Sequence, residues 1–386
     1  MKFYIALFIS KLAYIGLKLL RRPATSFAGF VALKICPDFL KYTQRYIDKA
    51  FINITGTNGK TTTSGILAHI LEENSNKVIH NIKGANMLSG IANVFVRYIC
   101  PLKKYDYAVI ETDEAYLTKV YDFVKGDYLI VTNLFCDQLD RYGEADFTSK
   151  IIQEAIAKNS GLKLVLNADD PVVKEFGKDK NAIYYGIKNN ADYTANMTMY
   201  DSYFELEINN SLKFKVNLVG EYNAYNALAA IATALENGFS KEQIQKALDS
   251  YHTAFGRAET RILDGHKTII QLIKNPTAAN EVLKTVDLNS NIIIALNDAY
   301  ADGRDISWIW DTDFEKLKNI SKPIIASGSR AYDIAIRLKH AGISTDKIIV
   351  EPDVKQAIKK ITNECENDEK ITILPSYTAL LKISKY

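Results

Sequence analysis

Residues 51–63 read FINITGTNGKTTT, and this stretch decides the fold. Phe51, Ile52 and Ile54 make a short β-branched and aromatic run, the composition of a buried strand. Gly56 breaks it, and Asn58-Gly59-Lys60-Thr61-Thr62 leads into an apolar helical pattern of Ile66, Leu67, Ile70 and Leu71. Strand, glycine turn and helix with Lys-Thr at its start is the P-loop arrangement. Backbone N–H groups at the helix N-terminus and the Lys60 ammonium surround phosphate oxygens, while the Thr61 hydroxyl can ligate Mg²⁺. The spacing is not the common Walker A, which needs a glycine where Ile54 sits; it is the compact form GTNGKTT, Gly56–Thr62. A GK[ST] triplet also arises by chance in loops, but a preceding strand, a following helix and a threonine run set this one apart. The expectation is a binding loop for a nucleoside triphosphate, formed by Gly56, Thr57, Asn58, Gly59, Lys60, Thr61 and Thr62.

At 386 residues the chain is too long for one core, which predicts two domains with a short extra segment. Hydrophobic content of 47% and charged content of 24% are ordinary for a soluble globular protein. A net charge of +3, with no basic stripe and no interleaved aromatics, gives no nucleic-acid partner. Cys36, Cys100, Cys136 and Cys365 form no CxxC pair, so neither a disulfide framework nor a zinc ribbon is read, and a reduced cytoplasmic compartment fits.

The N-terminal run MKFYIALFISKLAYIGLKLLRR is apolar but interrupted by Lys11 and Lys18, short of the ~18 uncharged residues a spanning helix wants. No small-residue cleavage site follows it. Two readings stand: a helix packed on the body of the protein, or a helix at the inner membrane surface through residues 1–22, with Lys11, Lys18, Arg21 and Arg22 available to phosphates.

Beyond the loop, Lys77–His80, Tyr107–Glu111, Tyr128–Thr132 and Leu162–Leu166 read as strands separated by helical patterns, giving βαβ units and a mainly parallel sheet. Polar residues just past each strand then lie at the carboxyl edge, where such sheets bind ligands. Glu111 ends its strand near the P-loop, the usual place for a second Mg²⁺ contact, although exposed strand-end acids are common. Asn133 and the run Asp137–Arg141 gather at the same edge, beyond what helix capping by Asp137 explains, and are assigned to nucleotide or metal contact. Asn167–Pro171 could be a plain turn. From Tyr193 to Val219 the pattern alternates as antiparallel hairpins, and Gly220–Leu235 is a helix with Asn223 and Asn226 on its opening turn.

Phe255–Glu259 reads as the hinge into a second α/β domain with strands Thr268–Leu272, Ile292–Leu296, Pro323–Ala326, Lys347–Val350 and Lys370–Leu374. There, Asp302 and Asp305 cluster beside Trp308 and Trp310 as a binding surface, the acids having little structural reason to gather. The five histidines show no metal-binding spacing, and no GxSxG or GxCxG elbow supplies an acyl-transfer nucleophile.

The set GTNGKTTT, strand-end Glu111, CDQLDRYGE, NADDP and GEYNAYNALAA resembles the central ATPase domain of the Mur ligase superfamily. Gly256-Arg257, Lys274-Asn275-Pro276, LNDAYADGRDISWIWD and Ser327–Asp333 are similar to the MurT family of synthetase subunits of lipid II isoglutaminyl synthase, over almost the whole chain. The resemblance implies an α/β protein with a Mur ligase-type central P-loop domain, mainly parallel, and a C-terminal Rossmann-like α/β domain. The divisions are 1–45 (apolar helical segment), 46–254 and 255–386. It also implies ATP- and Mg²⁺-dependent amidation of the D-glutamate α-carboxylate in the lipid II stem peptide through an acyl phosphate. The ammonia would come from a partner glutaminase of the GatD type. By motif, Lys60 and Thr61 hold phosphate and Mg²⁺, Glu111 holds Mg²⁺ and acts with Lys60 in catalysis, and Asn223 lies near the adenine. Arg257 joins the nucleotide set, and Asp305 completes the glutaminase Cys-His pair as its third member. The family usually carries a four-cysteine zinc ribbon after its YYGI strand; here Tyr184–Ile187 runs into Tyr193 with no cysteine, so no zinc is expected. The same departure keeps open a stand-alone peptide ligase acting on another wall precursor, such as pseudomurein.

Overall fold

The computed structural model describes the chain except residues 21–24, 82–84, 135–141, 201, 253–256, 367–368 and 385, with the backbone alone at 142–146 and 257–259. Two compact units divide it, Met1–His252 and Thr253–Tyr386.

The first unit opens with helices α1 (Lys2–Leu19) and α2 (Phe27–Ile35). Then follow β1 (Ile47–Thr55), α3 (Lys60–Glu73), β2 (Val78–His80), α4 (Leu88–Tyr98), β3 (Tyr105–Glu111), α5 (Glu114–Tyr121), β4 (Tyr128–Val131), α6 (Tyr142–Ala157) and β5 (Lys163–Asn167). It closes with β6 (Ala182–Gly186), β7 (Tyr193–Met199), β8 (Phe204–Ile208), β9 (Leu212–Val216), α7 (Glu221–Glu236) and α8 (Lys241–Ser250). The nine strands form one sheet in the order β2-β3-β1-β4-β5-β6-β7-β8-β9. It is parallel up to β7; β8 and β9 then add as antiparallel hairpins.

The apolar runs of the central strands, Ala50–Ile52 in β1 and Leu129–Val131 in β4 among them, follow from the layers on both sides. Phe51 packs into one core with Phe95, Ile110 and Leu129, whereas Ile52 and Ile54 point into another with Ile66, Ile70 and helix α7. A parallel sheet covered on both faces needs near-continuous hydrophobic strands, not alternating ones. Strand β1 lies between β3 and β4; the chain builds outward to β2, returns to β3 and then crosses β1 to reach β4, so the sheet order reverses beside the carboxyl end of β1. Crevices at such reversals receive ligands. Helix α1 packs on this unit through Phe3, Ala6, Leu7 and Ser10. Helix α2 lies so close to α4 that a Cβ on Gly29 would sit 1.9 Å from the Ser89 carbonyl oxygen. Among the described residues no helix is long and apolar enough to cross a membrane.

The second unit holds β10 (Arg257–Leu263), β11 (His266–Gln271), α9 (Pro276–Leu283), β12 (Asn291–Ala295), β13 (Ile324–Ser327), α10 (Ala331–His340), β14 (Ile348–Val350), α11 (Val354–Glu364), β15 (Ile371–Pro375) and α12 (Tyr377–Ile383). Its sheet runs β10-β11-β15-β12-β13-β14, parallel except for the β10–β11 hairpin. The stretch expected as a hinge is partly corrected here. Arg257–Glu259 begins strand β10, which pairs antiparallel with β11; residues 253–256 lie outside the described residues. Sequence pattern hid this strand because charged Arg257, Glu259 and Arg261 alternate along an edge position, which only a pairing partner makes extended.

Candidate nucleotide-binding site

Strand register builds the site. Ile54 pairs with Glu111 of β3 while Thr55 pairs with Val131 of β4, so the Glu111 carboxyl and Thr132-Asn133 flank the loop that leaves β1. Gly56 (φ +122°) and Gly59 (φ +89°) take conformations that side-chain-bearing residues rarely adopt. Space forbids a side chain as well: a Cβ on Gly56 would meet Thr132 Oγ1 at 2.3 Å, and one on Gly59 would meet Asn226 Oδ1 at 2.0 Å.

Asn133, expected to touch nucleotide or metal, has its side chain on the P-loop backbone. Its Oδ1 accepts from Asn58 N–H at 2.9 Å and its Nδ2 donates to Asn58 C=O at 2.9 Å. Thr132 Oγ1 donates to the same carbonyl at 2.7 Å, and the Asn133 carbonyl accepts from Thr57 N–H at 2.8 Å. The end of β4 is thus a brace for the loop.

Lys60 is the first residue of α3, with Gly59 as its N-cap. Its Nζ donates to the Gly56 carbonyl at 2.5 Å and pairs with Glu114 at 2.9 Å, with both side chains largely buried. A buried ammonium needs a counter-charge, and Glu114 supplies it. The Thr61 hydroxyl donates to Glu111 Oε2 at 2.7 Å, and Asn86 Nδ2 donates to the other carboxylate oxygen at 3.1 Å. Asn81 fixes the strand end beneath, accepting from Glu111 N–H at 2.8 Å and donating to its carbonyl at 2.7 Å. Neighbouring Asp113 caps α5 by accepting from Ala115 N–H at 3.1 Å. Burial, followed by the nearby Glu114 charge, pushes its carboxyl above the usual range. The hydroxyl of Thr61 and the carboxylate of Glu111 are hard oxygen donors in contact beside a phosphate-type loop, a donor set that fits Mg²⁺. His80, half-buried, faces Ser64 Oγ at 3.1 Å, and burial lowers its imidazole to about 4, so it stays neutral under the loop.

On α7, Asn226 supports the loop from the opposite side, receiving the Thr63 hydroxyl at 3.4 Å, while buried Asn223 donates to the Val219 carbonyl at 2.8 Å. The NADDP run is a backbone clamp. Asp170 accepts from Leu134, Val172 and Val173 N–H, and Asp169 accepts from Ile187, Lys188 and Asn189 N–H and the Tyr225 hydroxyl. Burial would raise Asp169, but those amide donors and the Tyr225 hydroxyl hold it below the usual carboxylate range. Cys136, Asp137, Asp140 and Arg141 lie outside the described residues, as does the Arg257 side chain.

In the second unit Asp305 is exposed, and its Oδ1 accepts from Ser307 N–H at 2.8 Å at the head of a single helical turn, Ser307–Asp311. The expectation that the neighbouring acids lack structural reason is corrected. Asp302 accepts from Thr378 N–H at 2.7 Å, and Asp298 pairs with Arg330 at 2.8 Å and takes the Ser329 hydroxyl at 2.8 Å. Both belong to the carboxyl edge of the sheet, where loops meet without ladder partners. The tryptophans diverge: Trp308 is core, whereas Trp310 is 52% exposed and lies edge-on to His340.

Sequence reasoning missed Glu114, Asn81, Asn86, Asn226 and Thr132 as parts of this site. Only Glu114 had a signal, since a P-loop lysine held out of water calls for an acid and ETDE follows the strand directly.

Comparison with known proteins accords with this geometry. The Mur ligase middle domain model matches residues 54–234 and the MurT ligase C-terminal model matches residues 272–380. The MurT subunit of lipid II isoglutaminyl synthase (glutamine-hydrolyzing) from Staphylococcus aureus (strain COL) is 33% identical, over 98% of this chain and 96% of that protein. The subunit of the same name from Streptococcus pneumoniae is 32% identical, over 92% and 90%. Among solved structures, MurF from Acinetobacter baumannii superposes with a TM-score of 0.74 at 20% identity, covering 92% of this chain and 80% of that one. A pseudomurein peptide ligase type C from Methanothermus fervidus gives 0.65 at 20% identity, covering 89% and 80%. At this identity those two likenesses speak for the fold alone. With nearly end-to-end similarity to two MurT subunits and with both family models matched, the chain belongs to the MurT family of Mur-type ligases.

Proposed function

We propose that this chain is the synthetase subunit of a glutamine-dependent amidotransferase, which amidates the D-glutamate α-carboxylate of a lipid-linked wall precursor such as lipid II. The observation carrying it is the Lys60–Glu114 and Thr61–Glu111 arrangement at the head of α3, alongside an exposed Asp305 on the second unit. The names of the two bacterial relatives supply the substrate class.

The P-loop amides of residues 57–62 and the Lys60 ammonium bind the ATP phosphates and offset the charge that builds up as the γ-phosphoryl group leaves. Thr61 and Glu111 would hold Mg²⁺, whose chemistry there is to neutralise phosphate oxygens and orient them. Asn223 and Arg257 are assigned to the nucleotide base and phosphates. The acceptor carboxylate takes the γ-phosphoryl group and ADP is released. Ammonia then attacks the acyl carbon, phosphate leaves, and the nitrogen loses a proton to give the amide.

Ammonia comes from a GatD-like glutaminase. Asp305 acts across the interface as the residue that orients the imidazole of that partner's Cys-His pair, a role a carboxylate can fill from either chain when geometry holds. Its exposure supports the reading, since a docking partner needs an accessible carboxylate. The deciding experiment is co-purification with the glutaminase, followed by amidation assays on lipid II with glutamine and with free ammonia. Activity with ammonia and none with glutamine, in the presence of an intact complex, would remove the shared-triad assignment. No amidation from either source would remove the function.

A further inference from the structure

Helix α1 inverts the usual arrangement of a surface helix. One side packs on the protein through Phe3, Ala6, Leu7 and Ser10, yet the opposite side is also apolar. Ile5, Phe8, Leu12, Ile15 and Leu19 recur at spacings of three and four, and all five stand out of the fold, Phe8 at 64% and Leu19 at 79% exposure. No charge falls on that line; Lys2, Lys11 and Lys18 lie along its margins. Packed against α1, helix α2 adds two more exposed rings, Phe27 and Phe30. At the start of α1 the exposed Arg45 guanidinium sits over Phe3 and Tyr4, 4.7 and 5.2 Å from the ring centroids, and within 5.8 Å of Tyr42.

Charge separates the occupants such a face could take. Residues 1–37 contain six basic residues and no acid, in a chain whose net charge is only +3. A second copy of α1 would bring lysine margins with no acid to pair with, whereas paired helices of this spacing normally carry complementary charges there. An anionic headgroup layer supplies the missing negative charge, and exposed tyrosines beside an arginine suit the headgroup level. At about 27 Å, the helix is long enough to lie flat in that layer with its apolar line in the acyl boundary.

We propose that the outer face of α1, with Phe27 and Phe30 of α2, docks this protein on an anionic lipid bilayer. The inference concerns where the chain sits and is independent of the reaction it catalyses. For a lipid-linked acceptor, docking would turn a search through solution into one along a surface.

The test is flotation of the full-length protein with phosphatidylcholine vesicles, with and without phosphatidylglycerol, over a salt series. The expected result is binding that requires phosphatidylglycerol and weakens as salt rises. Phe8→Glu/Leu12→Glu and, separately, Lys11→Glu/Lys18→Glu should each lower the bound fraction about tenfold or more. ATP binding and melting temperature report that the first unit remains folded, since Phe8 and Leu12 are exposed and pack against nothing that must shift. Absence of vesicle binding, or binding by either double variant at the wild-type level, overturns the proposal. So does a dimer in light scattering that Phe8→Glu/Leu12→Glu dissociates while vesicles are ignored, or a face protected only in the glutaminase complex. Vesicle binding without amidation would support the docking surface and remove the function proposed above.

Discussion

The brace between β4 and the P-loop yields the sharpest test of the site. Asn133→Ala deletes both side-chain hydrogen bonds to Asn58, the 2.9 Å contact to its N–H and the 2.9 Å contact to its carbonyl. Each is worth about 1 kcal/mol net. The carbonyl keeps Thr132 Oγ1 at 2.7 Å, but the Asn58 N–H loses its side-chain acceptor. A loss of about 2 kcal/mol in loop preorganisation corresponds to roughly thirtyfold weaker nucleotide binding. Thr132→Val removes one donor from a carbonyl that retains another, so its cost should stay below about 1 kcal/mol, under about fivefold. Titration calorimetry with ATP and ADP measures both, and the two nucleotides should weaken equally. Hydrogen exchange at the Asn58 amide, followed without nucleotide, separates bracing from direct contact. It should accelerate at least about tenfold in Asn133→Ala. Unchanged exchange together with weakened ATP binding would refute the brace and restore Asn133 as a nucleotide ligand.

Lys60→Ala should abolish ATP turnover while leaving the fold intact by circular dichroism, and retained turnover would remove the P-loop assignment. Asp305→Asn should leave ATP binding unchanged but lower glutamine hydrolysis by the complex ~10²-fold or more, by analogy with triad disruption; unaffected hydrolysis rules out the shared triad. Gly59→Ala should lose nucleotide binding through its positive φ and its clash with Asn226, and Asn226→Ala should restore part of it if the 2.0 Å approach is the cause. His80 makes stability pH-dependent: its folded value of about 4 lies below the ordinary 6.5, so the unfolded chain binds the extra proton between those values. Stability from this group is therefore full above pH 6.5 and is lost as pH falls towards 4, on the order of 2 kcal/mol for a half-buried ring. Urea unfolding at both ends of that window should show the loss in the wild type and not in His80→Gln.

Much of this was open to reading in the sequence because it is local. The run Phe51–Thr63 carries its own strand signal, its own glycines at positive φ and its own helix start, so loop and lysine follow from chain order alone. The central parallel strands carry apolar runs, such as Leu129–Val131 and Ile292–Ala295, for the same reason, and their residue types announce burial before any partner is known. What the sequence did not yield is which polar side chain meets which. Register sets Glu111 beside Thr61, turns Asn133 onto the loop it was expected to complement, and brings Glu114, Asn81 and Asn226 in from distant points on the chain. The acidic loop around Asp302 and Asp305 reads as a binding surface whose acids have little structural reason to gather, whereas the edge of the second sheet gives Asp302 the Thr378 amide and neighbouring Asp298 the Arg330 guanidinium. A side chain's type is fixed by its codon, but its hydrogen-bond partner is chosen by long-range packing, and only the folded chain makes that choice.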